Sequence, residues 1–162
     1  MSPLQKDTVR RVRKALIDAG QEDRVIELAE TARSAEDAAK AVGCELGAIV
    51  KSLVFAIDDQ MVMALVAGDH ICKEDNLSAA LSLRGTVRRA QATEVKQATG
   101  FTIGGVAPIG LSSTLPVVID HSLQRFGTIY AAAGHPHCVF PTTVRDLNRM
   151  TGGIISFKIT KQ

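Results

Sequence analysis

Two apolar runs, Ile49-Val-Lys51-Ser-Leu-Val-Phe-Ala-Ile57 and Met61-Val-Met-Ala-Leu-Val66, flank Asp58-Asp59-Gln60. β-branched and long apolar side chains fill both runs, and a turn sequence joins them, so the segment predicts a strand, a tight turn and a paired strand. The first run is hydrophobic enough to be buried on both faces. Lys51 interrupts it. A lysine in such a place either lets its stem carry the ammonium out to water or holds a partner, and a lysine facing a pocket would hold an anionic or carbonyl oxygen.

Around this hairpin the chain predicts helices and short strands. Ser2 caps a helix over about 3–19 with Pro3 in its first turn, and Leu4, Val9, Val12, Leu16 and Ile17 lie near one face before Gly20 ends it. Residues 24–28 predict a short strand. Ser34 starts a helix that Gly43 ends. A helix over 74–83, a strand over 86–90 and a helix capped by Thr93 and stopped at Gly100 follow. Strands over 116–120, 128–133 and 137–140, a helix from Thr143 to Met150, and a closing strand over 154–159 complete the chain. Strands in short groups between helices, without regular alternation, predict an α+β fold with a mixed, strongly curved, barrel-like sheet.

The 162 residues are of a size for a single domain over 1–162, able to bury a core without disulfide or metal staples. Cys44, Cys72 and Cys138 are odd in number and lack a Cys-x-x-Cys pair, so they predict reduced thiols. His135-Pro-His137-Cys138 has no second ligand cluster nearby in sequence, and no metal or cofactor is expected. No apolar run is long enough to span a membrane and no signal-peptide core opens the sequence, so the expected location is the cytoplasm. A formal charge of +2 is too mild to mark a nucleic-acid binder by itself. The local clusters Arg10, Arg11, Arg13, Lys14 and Arg84, Arg88, Arg89 are candidate contacts to RNA phosphates or ordinary solvated faces.

The segment Gly100-Phe-Thr-Ile-Gly104-Gly105-Val106-Ala107-Pro108-Ile-Gly110 offers, apart from Thr102, only backbone polarity. Paired glycines let a ligand approach the main chain, so that N–H groups can converge on an oxyanion, a carbonyl or a phosphate. Gly68-Asp69 after the second strand reads as a turn, and Ala133-Gly134-His135 ends a later strand, where functional side chains often project. No Ser-His-Asp order, Gly-x-Ser-x-Gly elbow, His-Glu-x-x-His or Walker loop occurs.

Lysine within an apolar strand (Ile49-Val-Lys51-Ser-Leu-Val-Phe), Gly68-Asp69 after its partner, the loop from Gly104 to Gly110, and Ala133-Gly134 after a late strand together resemble the YbaK/ProX aminoacyl-tRNA deacylases, relatives of the editing domain of bacterial prolyl-tRNA synthetases. The resemblance runs from about Ser34 onward. It implies hydrolysis of the ester joining a wrong small amino acid, such as Ala, Cys or Ser, to a tRNA, with tRNA-Pro the expected carrier. It also implies Lys51 as the catalytic lysine, Gly104, Gly105, Val106, Ala107 and Pro108 as the substrate loop, and Gly134 as a further substrate contact; His135 is a candidate contact from its place after that glycine at a strand end. The implied partners are aminoacyl-tRNA and a prolyl-tRNA synthetase, with no membrane and no DNA. Leu111-Ser112-Ser113 and Gly134-His135-Pro136-His137 depart from the cysteine-removing pattern of Met-Lys-Lys and Gly-Lys-Arg-Gly, which favours alanine and other small amino acids. The competing expectation is a non-catalytic module that binds RNA or a nucleotide in the same pocket, and a third is a regulatory domain that takes a peptide or metabolite there.

Overall fold

The computed structural model describes residues 2–30 and 32–162. Its elements, in order, are α1 (Asp7–Asp18), β1 (Ile26–Glu27), α2 (Ala35–Val42), β2 (Ile49–Ile57), β3 (Gln60–Ala67), β4 (Ile71–Cys72), α3 (Leu77–Ala80), β5 (Val87–Arg89), α4 (Ala92–Thr99), β6 (Val117–Asp120), β7 (Ile129–His135), β8 (Cys138–Thr142), α5 (Val144–Thr151), β9 (Ile154–Ser156) and β10 (Thr160–Lys161). The fold is α+β with a mixed sheet, as the sequence predicts. Among the described residues, eight strands form that sheet in the order β1-β8-β7-β2-β3-β6-β9, with β5 also on β2. The path does not close, and β4 and β10 form a separate antiparallel pair.

The β2–β3 hairpin is the centre. Its turn is two residues long, Asp58 taking a left-handed φ of 52° and Gln60 pairing with Ile57. Side chains alternate between two cores: Val54, Met63 and Leu65 face one, Phe55, Ile57 and Val62 the other. Both strands are thus sandwiched, which is why neither shows polar alternation.

β2 has full-length company on one edge only. β3 pairs with it from Val50 to Ile57, whereas on the other edge β7 pairs with Ile49 and Val50 and β5 with Phe55, Ala56 and Ile57. Between those two partners, Lys51, Ser52 and Leu53 border a gap.

Several boundaries differ from expectation for local reasons. The first helix begins as a 3₁₀ turn at Pro3–Gln5 and turns α-helical only at Asp7; Val9, Val12 and Leu16 are buried in its apolar stripe, but Ile17 is 60% exposed, one position off that stripe. α4 is capped by Gln91 and not Thr93, through a capping box with Glu94. The segment over 74–83 breaks into a 3₁₀ turn, Glu74–Asn76, and the short α3, and Ser82 at φ 55° ends it. The early strand shrinks to Ile26–Glu27 and the closing one to Ile154–Ser156. Ser34, Gly43, Gly100 and Thr143 cap as predicted.

Candidate functional site

The gap on the β2 edge opens into a cavity of about 370 Å³. Lys51, Ser52 and Leu53 form one wall, and the turn of the glycine loop, through Ile103, Gly104 and Val106, forms the opposite one. Tyr130 and Ala132 of β7 and Pro136 close one flank, with α2 at the rim through Ala35 and Ala38. Three cations line it, Lys51, Arg33 and Arg89, and among the described residues no Asp, Glu or His does. The wall is otherwise largely apolar, so the site suits a ligand that is anionic at one end and small and apolar at the other.

Lys51 is half-buried, and its ammonium donates to the carbonyl of His70 at 2.6 Å. That carbonyl is held in place by a polar cluster behind the strand. His70 Nδ1 lies 3.0 Å from the Thr160 hydroxyl, which donates to buried Asp120, and Asp120 also accepts the backbone N–H groups of Ala67 and Ser122. Asp69, in the same turn, takes both ends of the Arg125 guanidinium at 2.9 and 2.7 Å, and this pairing holds its carboxyl below the usual aspartate range. Gly68 is required by packing: a Cβ there would sit 2.4 Å from the Leu46 carbonyl oxygen. Gly68-Asp69 therefore shapes the turn that receives Lys51.

Ser52 was not singled out in the sequence. Gly68 N–H donates to Ile49 O and Ala90 N–H to Val54 O, so antiparallel alternation turns the main-chain groups of Val50, Ser52 and Val54 away from β3. Those of Ser52 face the gap. Its Oγ is buried and has no hydrogen-bond partner among the described residues. A buried hydroxyl left unpaired costs stability unless a ligand or a water supplies its partner. A polar residue beside Lys51 in an otherwise apolar run was the available signal. Arg33, Tyr130 and Pro136 were also missed, because only the fold brings them to the cavity.

The loop residues divide. Gly104 and Val106 line the cavity, whereas Gly105, Ala107, Pro108, Gly134 and His135 do not, and Pro108 instead borders a shallower depression with Gly110 and Ser113. The left-handed φ belongs to Gly104, at 96°, and not to Gly105. Gly105 is needed for contact: a Cβ there would lie 2.9 Å from His135 Cα and 3.0 Å from its nitrogen. Its N–H closes the turn onto Thr102 O at 3.0 Å. The N–H groups of Gly104 and Val106, two residues that line the cavity, have no acceptor among the described residues, and neither has that of Ile103.

Gly134, at φ 91° on a bulge in β7, lets α1 approach, since its Cβ would meet Thr8 O at 2.6 Å. His135 turns its Nδ1 to the N–H of His137 at 3.1 Å; burial, with His137 and Lys6 nearby, pushes its pKa down. Cys138 is buried, its thiol pushed up to about 11 by that burial. Among the described residues no three His, Cys, Asp or Glu side chains converge as metal ligands. No helix among them is long and apolar enough to cross a membrane.

Of the basic clusters, Arg13 pairs with Asp23 at 2.7 Å, Lys14 with Asp18 at 2.7 Å, and Arg88 with Glu94 through both guanidinium nitrogens. Arg89 alone of these residues lines the cavity, its guanidinium over the Phe55 ring at 5.3 Å.

A solved structure described as a candidate trans-editing enzyme for prolyl tRNA synthetase superposes with a TM-score of 0.90 at 35% identity, over 97% of this chain and 99% of that one. The uncharacterised protein YwhH of Bacillus subtilis (strain 168) is 32% identical over 145 residues, 89% of this chain and 91% of that protein. A proline–tRNA ligase of Geobacillus sp. (strain WCH70) is 35% identical over 75 residues, 46% of this chain but 13% of the enzyme, so that likeness is to one part of a longer protein. The profile of the aminoacyl-tRNA editing domain matches residues 29–150, a span that holds every residue lining the cavity and leaves α1 outside. On that match the chain belongs to the aminoacyl-tRNA editing domain family, of the YbaK/ProX type that its motifs resemble.

Proposed function

We propose that this protein is a trans-editing deacylase that hydrolyses the ester between a small amino acid and the terminal ribose of tRNA-Pro. The observation that carries the reading is the cavity itself: loop residues whose N–H groups have no acceptor among the described residues line it together with a lysine, two arginines, a serine whose hydroxyl has no partner among those residues, and small apolar side chains. Membership of the editing family and the likeness to prolyl-tRNA synthetase relatives support the substrate class.

In this reading the terminal ribose and its phosphate enter beside Lys51, Arg33 and Arg89, and the amino acid side chain rests on the apolar wall. Water attacks the ester carbonyl carbon, and the N–H groups of Gly104 and Val106 offset the charge that forms on the carbonyl oxygen. Collapse of the tetrahedral intermediate expels the ribose oxygen, which takes up a proton, leaving free amino acid and tRNA. An aminoacyl ester is already activated, so positioning and charge stabilisation are the main demands. Ser52 Oγ supplies a polar contact for the attacking water or the α-amino group. A synthetase separates small apolar amino acids by only about 1–3 kcal/mol per methylene, and a second cavity of limited size remedies that deficit. A prolyl-tRNA synthetase is the partner that would produce such mischarged tRNA.

The second reading, a module that binds the tRNA end without turnover, draws on the lack of a lining Asp, Glu or His to serve as general base among the described residues. One assay separates the two: purified protein incubated with tRNA-Pro charged with alanine, serine, cysteine or proline. Release of a small amino acid with proline retained is expected; tight tRNA binding with no release from any of the four would overturn the enzymatic reading.

A further inference from the structure

The loop between Thr99 and Gly110 has no regular structure of its own. Its feet are tied to each other by the Ser112 N–H, which donates to Thr99 O at 3.1 Å, and by the Ser113 hydroxyl, which donates to Ala98 O at 2.6 Å, and they are held as well by a residue outside the segment that the editing family matches. Arg11, on α1, donates through Nε and Nη2 to Gly110 O at 3.2 and 2.7 Å, and through Nη2 to Thr99 O at 2.9 Å. Thr99 is the residue before the loop begins and Gly110 the residue where it ends. The guanidinium also lies over the Phe101 ring, 4.7 Å from its centroid, and Phe101 is fully buried. One planar cation thus joins both feet of the loop and stacks on its first large side chain.

Glycines make the approach possible. A Cβ at Gly100 would lie 2.5 Å from Arg11 Nη2, and one at Gly110 would lie 3.3 Å from Arg11 O. Gly134, across the cavity flank, is pressed against Thr8 on the turn of α1 before Arg11. Three of the glycines singled out in and near the loop therefore serve the docking of α1. A charged side chain that spends its donors on main-chain carbonyls gives up solvation for position, and the forked guanidinium spans two carbonyls that a lysine ammonium, a single point, serves less well.

We infer that α1 is a brace for the substrate loop and that Arg11 is a positioning residue for the reaction, fixing the span between Thr99 and Gly110 so that the N–H groups of Gly104 and Val106 stay aimed into the cavity. The link to catalysis rests on the deacylase reading above; the brace itself does not. A loop donor moved by about 1 Å can lower a rate on the order of 10²-fold, so loss of the brace should appear in turnover before binding.

The test compares Arg11→Met, which keeps the stem and removes the donors, with Arg11→Lys and with Arg13→Met, which breaks the tie of α1 to Asp23 instead. Hydrogen exchange of the free protein is followed in peptides covering 100–110 and covering β2 and β3. In Arg11→Met the loop amides should exchange about tenfold faster or more while the hairpin stays protected. Single-turnover release from the best mischarged tRNA should fall about 10–100-fold with tRNA affinity within about twofold of wild type. Arg11→Lys should fall between, and it carries the test if Arg11→Met does not fold. Unchanged loop exchange in the Arg11 variants, or acceleration equal to that in Arg13→Met, would overturn the brace. Altered loop exchange with wild-type turnover would overturn the positioning role. A wild-type protein that releases no amino acid would sink the deacylase reading, and loop exchange alone would then decide the brace.

Discussion

On one side of the cavity β2 runs as a nine-residue strand whose register is set by eight pairings with β3; on the other, the chain from 100 to 110 makes turns and bends and takes its shape from contacts distant in sequence. Alternation along the strand puts the side chains of Lys51 and Ser52 on opposite faces of β2, and both residues line the cavity at its open edge. The loop wall presents main-chain N–H groups at positions fixed by a turn onto Thr102, by packing of Gly105 on His135 and by Arg11. In the proposed reaction the two walls would differ in the same way: a long cation can reach and orient a ribose-phosphate, whereas main-chain N–H groups can match a charge that exists only briefly. Substitutions on the two walls should therefore differ in kind as well as in size.

The largest effect is expected on the strand wall. Lys51→Ala should lower deacylation about 10³-fold or more, as loss of a principal charged contact in a preorganised site does. Folding should survive, because the residue is half-buried and its hydrogen bond is to one turn carbonyl; circular dichroism and a melting curve close to wild type check this. A variant with full activity would remove Lys51 from the mechanism, and one that does not fold would make it a structural lysine.

Gly105→Ala follows. The added methyl meets backbone on His135, which cannot rotate aside, so the turn must shift and the neighbouring N–H groups with it. A loss of about 10²-fold in single-turnover rate is expected, with intact tRNA binding little changed. If Gly105→Ala instead weakened tRNA binding and left the chemical step alone, the two walls would not differ in the way described.

This pair of substitutions also marks how far the sequence could be read. The hairpin, the caps at Ser34, Gly43, Gly100 and Thr143, and the strand position of Lys51 follow from local patterns, because burial on both faces and left-handed or capping positions leave marks on neighbouring residues. That the loop matters was legible from its composition. Its geometry was not: a pair of glycines does not tell which takes the positive φ and which is squeezed, since the squeeze on Gly105 comes from β7. Arg11 looked like part of a basic face because its partners are carbonyls, which carry no signature in sequence. Arg33, Tyr130 and Pro136 reach the cavity only through pairings of β7, β8 and the segment before α2 that no short window contains.

Ser52→Ala sharpens the strand wall. Its hydroxyl has no partner among the described residues, so removal should leave the melting temperature unchanged or raised while slowing deacylation by about tenfold, the value of a single neutral hydrogen bond at ~1–1.5 kcal/mol. A wild-type rate would mean that the hydroxyl is idle.

The smallest effect concerns acid. Arg125 lowers the Asp69 carboxyl below its ordinary 3.8, so the pairing stabilises the fold fully above that pH and is lost as pH falls below it. The turn carrying the Lys51 acceptor should loosen with it. Melting curves of wild type and Asp69→Asn should differ above pH 3.8 and converge in stronger acid; curves that stay parallel down through that range would show that the pairing contributes nothing.

Substrate lying between the two walls should perturb both of them. The measurement is a titration of the protein with a non-hydrolysable amide analogue of 3′-alanyl adenosine, followed by backbone amide chemical shifts. The changes should centre on Ser52, Gly104 and Val106 and extend to Lys51 and Arg89. Changes that gather instead at Gly110, Ser112 and Ser113, around the shallower depression beside Pro108, would contradict that placement.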